Sequence, residues 1–428
     1  MNNKVYIIDH ELISPIAVGR EEILPAINKN FSADGPLIRK DIRGLNFNTG
    51  AEVREALTHF YQDESAPVKE LCKLDRKLEL LAAAFGKAKS NLAPLIDQMN
   101  PERTGVILGV GAEELPLKEN EEQLIQSVEK KLSAIYELMA HLNPLYGKFN
   151  RIVNPFDMYA LYLADKFNAR AFQKSVLTAC VSSTQAIAQA YDSILRNQAE
   201  VVIAGGTDSI LNLVALISFG KLGVIAESDG NISCRPFDNN RYGAIAGEAA
   251  GFVIMASEEF VRKNKLKPIA AILGYGNTLD GYKITAPDPS AAAMSKAIQK
   301  AVQQSGIAVN QYDYYYAHGT GTRQNDGVEL KALQNALGES AHKIAVSSTK
   351  DRHGHAIAAA GIQELSILLE MMKGGTIPGN LNLQNPIDQK INLLRENQQK
   401  QINYALKSNF AFGGVNTVLA VKNEKEWS

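Results

Sequence analysis

One pattern constrains this chain more than any other. Apolar runs of strand length alternate with segments of helical periodicity, and the alternation occurs twice. In the first pass "VYII", "RTGVILGVG", "KSVLTA", "EVVIAGGTDS" and "AAGFVIMAS" read as strands. Between them, "KLDRKLELLAAAFGKAKSNL", "KENEEQLIQSVEKKLSAIYELMAHL", "NPFDMYALYLADKF" and "STQAIAQAYDSILRNQ" read as helices. In the second pass "PIAAILGYGNT", "YDYYYAHG", "KIAVSSTK" and "YALKSNFAFGGVNTVLAVKN" are strands. "SAAAMSKAIQKAVQQSG", "DGVELKALQNALG" and the small-faced "AAAGIQELSILLEMMKGG" are helices, the last of them central. Helices between strands argue for mostly parallel pairing and an α/β class. The shared rhythm predicts a duplicated architecture, with halves at 1–263 and 264–428. Residues 30–65 read as irregular.

A chain of 428 residues is too long for one simple core. Its formal net charge of -1 supplies no global field toward nucleic acid or an anionic membrane. It contains no run of 18 uncharged apolar residues, so no membrane span is expected. The first apolar run is broken by Asp9, His10 and Glu11, unlike a secretory signal. The three cysteines, Cys72, Cys180 and Cys234, give neither a disulfide framework nor a CxxC metal pattern, which fits a reducing cytoplasm.

Cys180 lies in "VLTACVSST", where a strand hands over to a helix. A thiol reacts as thiolate, and helix N-terminal amides are one feature that lowers its pKa. The plain alternative is a buried structural cysteine. Two segments could assist a nucleophile. "AHGTGTRQNDGVE" puts His318 at a strand's C-terminal end, beside Gly319 and Gly321 and the hydroxyls of Thr320 and Thr322. "SSTKDRHGHAIAAAG" puts Lys350, His353 and His355 just before a helix of small residues. The His-x-His pair allows a different class, a metal-dependent hydrolase using His353 and His355 with Asp351 or Glu364. The glycine-rich runs lack a GxGxxG opening a helix and a GKS/T ending, so they read as close backbone packing.

Taken in order, "TAC" at 178–180, "HGTGT" at 318–322, "SSTKxxxGHxxxAAG" at 347–361 and "SNFAFGGVN" at 408–416 resemble the beta-ketoacyl-ACP synthases. "RPFD" at 235–238, "AGEAAG" at 246–251 and "YKITAP" at 282–287 add to the resemblance, which runs from about residue 100 onward. The resemblance implies a thiolase fold, a duplicated five-layered αβαβα sandwich, and decarboxylative Claisen condensation with malonyl-ACP. It implies that Cys180 carries the acyl thioester while His318 and His355 stabilise the enolate. Lys350 matches the family's active-site lysine and Glu364 the buried acid that pairs with it. Glu329 matches a further acid near the site. Phe412 matches the gate and, with the Cys180 amide, an oxyanion hole; Phe410 stands beside it. Thr320 and Thr322 match residues holding the phosphopantetheine arm, and Thr285 and Phe219 are further substrate-side positions. No metal, nucleotide or organic cofactor is implied beyond the phosphopantetheine arm of the acyl carrier protein. The implied partners are that carrier protein and a second subunit, either an identical copy or a chain-length-factor homologue.

Four departures from the family pattern stand out. Ala411 replaces a glycine in the hinge, which implies stiffer gating. Lys283 stands where a histidine is common. "GEAAG" replaces "GDGAG". His353 is an extra histidine, expected at the surface or one layer behind the pocket. The segment 112–165, with Phe156, Met158, Tyr159 and Tyr162, is the least family-like; it lines an acyl tunnel or dimer interface, or simply packs the core. These departures point to a specialised polyketide or polyene synthase as well as to fatty-acid elongation.

Overall fold

The computed structural model describes residues 4–38, 49–112, 121–142, 156–226 and 234–424, with side chains of the helix Glu121–Leu142 described from Gln126. Within the segment 112–165, expected to line an acyl tunnel or dimer interface or to pack the core, 113–120 and 143–155 lie outside the described residues.

Five strands of the first pass pair in the order Phe172–Val176, Thr104–Val110, Val201–Ser209, Glu248–Ser257, Val5–Ser14. Numbered within this set, the order is third, second, fourth, fifth, first. The second pass repeats it: Ala345–Ser347, Tyr314–Tyr316, Tyr404–Phe410, Val415–Asn423, Ala270–Leu279. The pairing directions repeat as well. The second strand is parallel to the third and fourth, while the fifth is antiparallel to the fourth and first. The two sets join where the first strands meet antiparallel, Val5 to Ile272, Tyr6 to Ala271 and Ile7 to Ala270.

Burial explains the layers. Thr104–Val110 and Val201–Ser209 are buried at every residue, as strands covered on both faces must be. Their side chains alternate between two cores. Ile107 faces a central core and Val106 and Leu108 an outer one, just as Val5 and Ile7 face the centre and Tyr6 the outside. The helices Ser182–Leu195 and Ala360–Gly374 fill the centre, and the second is buried from Ala360 to Met372. The helix Arg76–Ile96, capped by Asp75 accepting from the Leu78 N–H at 2.9 Å, covers one outer face with Asp157–Lys166. Ala292–Ser305 and Asn325–Leu337 cover the other. Five layers result, helix, sheet, helix, sheet, helix. Met158, Tyr159 and Tyr162 are buried in the first outer core.

The central helices meet at their N-terminal ends. The Ile362 N–H donates to Ser183 Oγ at 3.0 Å. A Cβ at Gly361 would lie 2.6 Å from Thr184 N and 2.7 Å from Ser183 Oγ, so only glycine permits this approach.

Candidate active site

Strand ends set the site. Cys180 follows the third strand of the first set, in the turn Ala179–Val181 that opens the helix Ser182–Leu195. Ser182 Oγ ties that turn, accepting from the Thr178 N–H and donating to the Ala179 carbonyl, each at 2.8 Å. His318 follows the second strand of the other set, and Lys350 to His355 follow its third. Backbone strain flanks the site. Ala179, just before the cysteine, has φ 49°, and the β-branched Ile357, just after His355, has φ 36°.

The three groups converge. Cys180 Sγ lies 3.1 Å from His355 Nε2, and one ring nitrogen of His318 lies within 4.8 Å of both. The two imidazoles stand edge to face, with centroids 5.3 Å apart. The backbone N–H groups of Phe412 and of Cys180 itself are directed at the sulfur. All three side chains line a cavity walled by Phe219, Ile225, Met294, Phe410 and Phe412, with Thr285, Thr320 and Thr322 at its polar side.

Electrostatics corrects one expectation. Helix-end amides do not make Cys180 anionic here. Burial pushes its thiol up to about 12, and the opposing pull of Lys350 and the Phe412 amide is weaker. Burial also holds His318 and His355 well below the usual imidazole range, reinforced by the Lys350 ammonium. The resting site is therefore a thiol beside two neutral imidazoles.

Behind His318 sits a buried charged network. Lys350 Nζ donates to the His318 carbonyl at 2.6 Å, approaches His318 Nδ1 at 3.4 Å and pairs with Glu364 Oε1. Burial drives the Glu364 carboxyl up, but Lys350 and Lys407 outweigh it and hold it at about 2. Glu329 does not line the cavity. It accepts from the His318 and Gly319 N–H groups at 2.7 and 2.8 Å and from Ser408 and Asn325, fixing the loop that carries His318. Burial raises its carboxyl.

The metal-hydrolase alternative is overturned. His353 is not at the surface but fully buried, with Nε2 against Thr349 Oγ1 at 2.8 Å and Nδ1 against the Gly354 carbonyl at 2.7 Å. Both ring nitrogens are engaged, so His353 does not join His355 around a common point.

The other departures have local explanations. Ala411 is in extended backbone, φ -118°, where an L-residue is unstrained, and the turn is made by Gly413 and Gly414 at φ 80° and 77°. Glu248 of "GEAAG" is saturated by Arg76, Ser209 and the Val53 N–H. Lys283 Nζ lies 5.4 Å from the ring centroid of Tyr282, itself half exposed at 50%. Three polar residues of the site, Thr184, Lys407 and Asn409, were not singled out from the sequence. Thr184 closes the quoted "VLTACVSST" and Asn409 lies in "SNFAFGGVN", whereas Lys407 stands just outside that motif.

Comparison with known proteins identifies the family. The model of the beta-ketoacyl synthase N-terminal domain matches residues 48–260, and that of the C-terminal domain matches 269–384. The chain belongs to the beta-ketoacyl synthase family, whose members are condensing acyltransferases. It is 28% identical over 424 residues to 3-oxoacyl-[acyl-carrier-protein] synthase 2 of Coxiella burnetii, covering 98% of each chain. It is 30% identical over 377 residues to the synthase of the same name from Staphylococcus aureus, covering 86% of this chain and 88% of that one. Among solved structures, the ishigamide ketosynthase/chain length factor superimposes with a TM-score of 0.81 at 23% identity, over 99% of this chain and 100% of the other. Among the described residues, no helix is long and apolar enough to cross a membrane.

Proposed function

We propose that this chain joins an acyl group held on Cys180 to a malonyl unit delivered by acyl carrier protein. The thiol of Cys180 attacks the acyl-ACP thioester while His355 Nε2, 3.1 Å away, takes its proton and passes it to the departing pantetheine sulfur. Because burial keeps the sulfur protonated, attack and proton transfer are coupled. The Phe412 and Cys180 amides receive the oxyanion. Malonyl-ACP then enters; His318 donates a hydrogen bond from Nε2 to its thioester oxygen, and His355 does the same once solvent exchange has moved its single hydrogen from Nδ1 to the Nε2 freed in the first step. Loss of CO2 leaves an enolate whose charge that pair stabilises. The enolate carbon attacks the acyl thioester, the C–S bond breaks to release beta-ketoacyl-ACP, and the Cys180 thiolate so formed takes a proton from solvent in the cavity. Neutral imidazoles suit this role, since each offers an N–H donor and lacks the second, acidic proton of an imidazolium that would quench the enolate. Lys350 and Glu364 orient His318, Glu329 holds its loop, Thr320 and Thr322 take the phosphopantetheine arm, and Thr285, Phe219 and Phe410 shape the acyl side. We read 1–263 and 264–428 as the two halves of the enzyme.

The observation that carries this reading is the sulfur set between the His355 nitrogen and two backbone amides in an open cavity. The test is intact-mass analysis after incubation with a panel of acyl-ACPs. An acyl adduct on wild type and none on Cys180→Ala supports it; no adduct with any chain length refutes it. A second reading is favoured by the ishigamide ketosynthase/chain length factor. In it, this chain is the cysteine-bearing member of a heterodimer that builds a polyketide or polyene chain. Co-purification with a cysteine-free homologue, rather than homodimerisation, distinguishes it.

A further inference from the structure

One charged side chain in the network has no part in the scheme above. Lys407 is fully buried on the strand Tyr404–Phe410, two residues before Asn409. Its Nζ pairs with Glu364 Oε2 at 3.0 Å, reaches Thr184 Oγ1 at 3.3 Å and donates to Asn409 Oδ1. Thr184 Oγ1 donates to the same Oδ1 at 2.5 Å. The carbonyl side of the Asn409 amide therefore has both its lone pairs filled. Its Nδ2 must face the other way, and there it meets two acceptors, Glu364 Oε2 at 2.9 Å and His318 Nδ1 at 3.2 Å.

Each atom of that amide is thus assigned by its neighbours. A flipped amide would set Nδ2 against an ammonium and Oδ1 against a carboxylate, which is repulsive on both sides. An Nδ1 that accepts a hydrogen bond is the unprotonated nitrogen of a neutral imidazole, so the hydrogen resides on Nε2. The other donor near Nδ1 is Lys350, which at 3.4 Å is farther than Asn409; two of its three N–H groups serve Glu364 and the His318 carbonyl, and the third supports the same tautomer from a longer distance.

We propose that Lys407 is a positioning residue for His318: together with Thr184 it fixes the Asn409 amide, and that amide fixes the imidazole tautomer carrying its hydrogen on Nε2, toward the cavity. The inference rests on the reading that His318 donates a hydrogen bond to the malonyl thioester oxygen. It extends that reading by naming the groups that make His318 a donor. The second ammonium also adds to the positive charge that disfavours protonation of His318 and His355.

The test is ¹⁵N spectroscopy of histidine-labelled full-length protein, with the His318 signals assigned by His318→Gln, alongside malonyl-ACP decarboxylation. Wild type is expected to show hydrogen on Nε2 alone. Lys407→Met is expected to yield a mixture of tautomers and a decarboxylation rate lower by about tenfold or more. Asn409→Asp keeps Lys407 and the side-chain shape but replaces the donor with an acceptor. It is expected to draw the hydrogen to Nδ1 and to serve should Lys407→Met not fold. Retention of the Nε2 hydrogen in either folded variant overturns the proposal. A wild type with the expected tautomer but no acyl adduct on Cys180 overturns the functional reading instead and leaves the tautomer assignment standing.

Discussion

Gly361→Ala tests how tightly the site depends on the meeting of the two central helices. The new Cβ would lie 2.6 Å from Thr184 N, about 0.8 Å inside ordinary contact, and the obstructing atom is backbone. A flexible side chain could swing aside; the first turn of Ser182–Leu195 cannot, because Gly109 already presses on it, its own Cβ position lying 2.7 Å from Ser183 Cα. The helices must separate by a few tenths of an ångström to nearly 1 Å. That movement carries Cys180 away from the segment bearing His355, across a contact of only 3.1 Å. A misplacement near 1 Å costs about 10²-fold in rate, and overpacking costs about 1–3 kcal/mol. The assays are the rate of acyl adduct formation by intact mass and urea denaturation. Gly327→Ala is the matched control, since its Cβ would meet only the tip of Arg241, 4.0 Å away. It should be neutral or gain up to about 1 kcal/mol, as alanine replaces glycine in a helix. A Gly361→Ala protein with wild-type loading and stability would show that the helices yield freely and refute the argument.

Three further outcomes are expected. His355→Ala should slow acylation of Cys180 by about 10²–10⁴-fold; an unchanged rate in stopped mass-spectrometric time courses would remove His355 from proton transfer. The Glu364 carboxyl is held at about 2 against its ordinary 4.5, so its stabilising contribution is present above pH 4.5 and disappears as pH falls toward 2. Urea midpoints should fall through that window, and Glu364→Gln should flatten the fall while lowering stability at neutral pH by about 3–5 kcal/mol; an equally steep acid limb in the variant contradicts the assignment. Chelator treatment should leave acyl loading unchanged, because His353 is internally bonded at both nitrogens; a rate lost to chelator and restored by zinc would revive the metal reading.

Much of this architecture was legible in the residues. The twofold strand and helix rhythm emerges as two sets with one strand order, and Cys180, His318 and His355 meet at one cavity, with Lys350 behind His318. What escaped the sequence did so for physical reasons. The first strand was read as ending at Ile8 because Asp9, His10 and Glu11 follow. It runs to Ser14, since those polar groups find partners in Arg20, Glu370 and local amides. The helix Leu213–Lys221 has no counterpart in the sequence reading, although Asn212 caps it by accepting from the Ala215 N–H. The ionisation of Cys180 was misjudged because helix-end amides are visible in a sequence and desolvation is not. Lys407 and Asn409 escape the sequence because three consecutive polar residues, Lys407, Ser408 and Asn409, ordinarily mark exposed chain, whereas here all three are buried.

The buried pair of central helices has an evolutionary corollary. Neither strand set owns an inner surface that could face water, because each is roofed by helices contributed by both. The duplication has thus ceased to be two modules and become a single body with one shared interior. Sequence drift in either repeat is policed by the backbone of its sibling, and one place where tolerance is small is the seam beside Cys180.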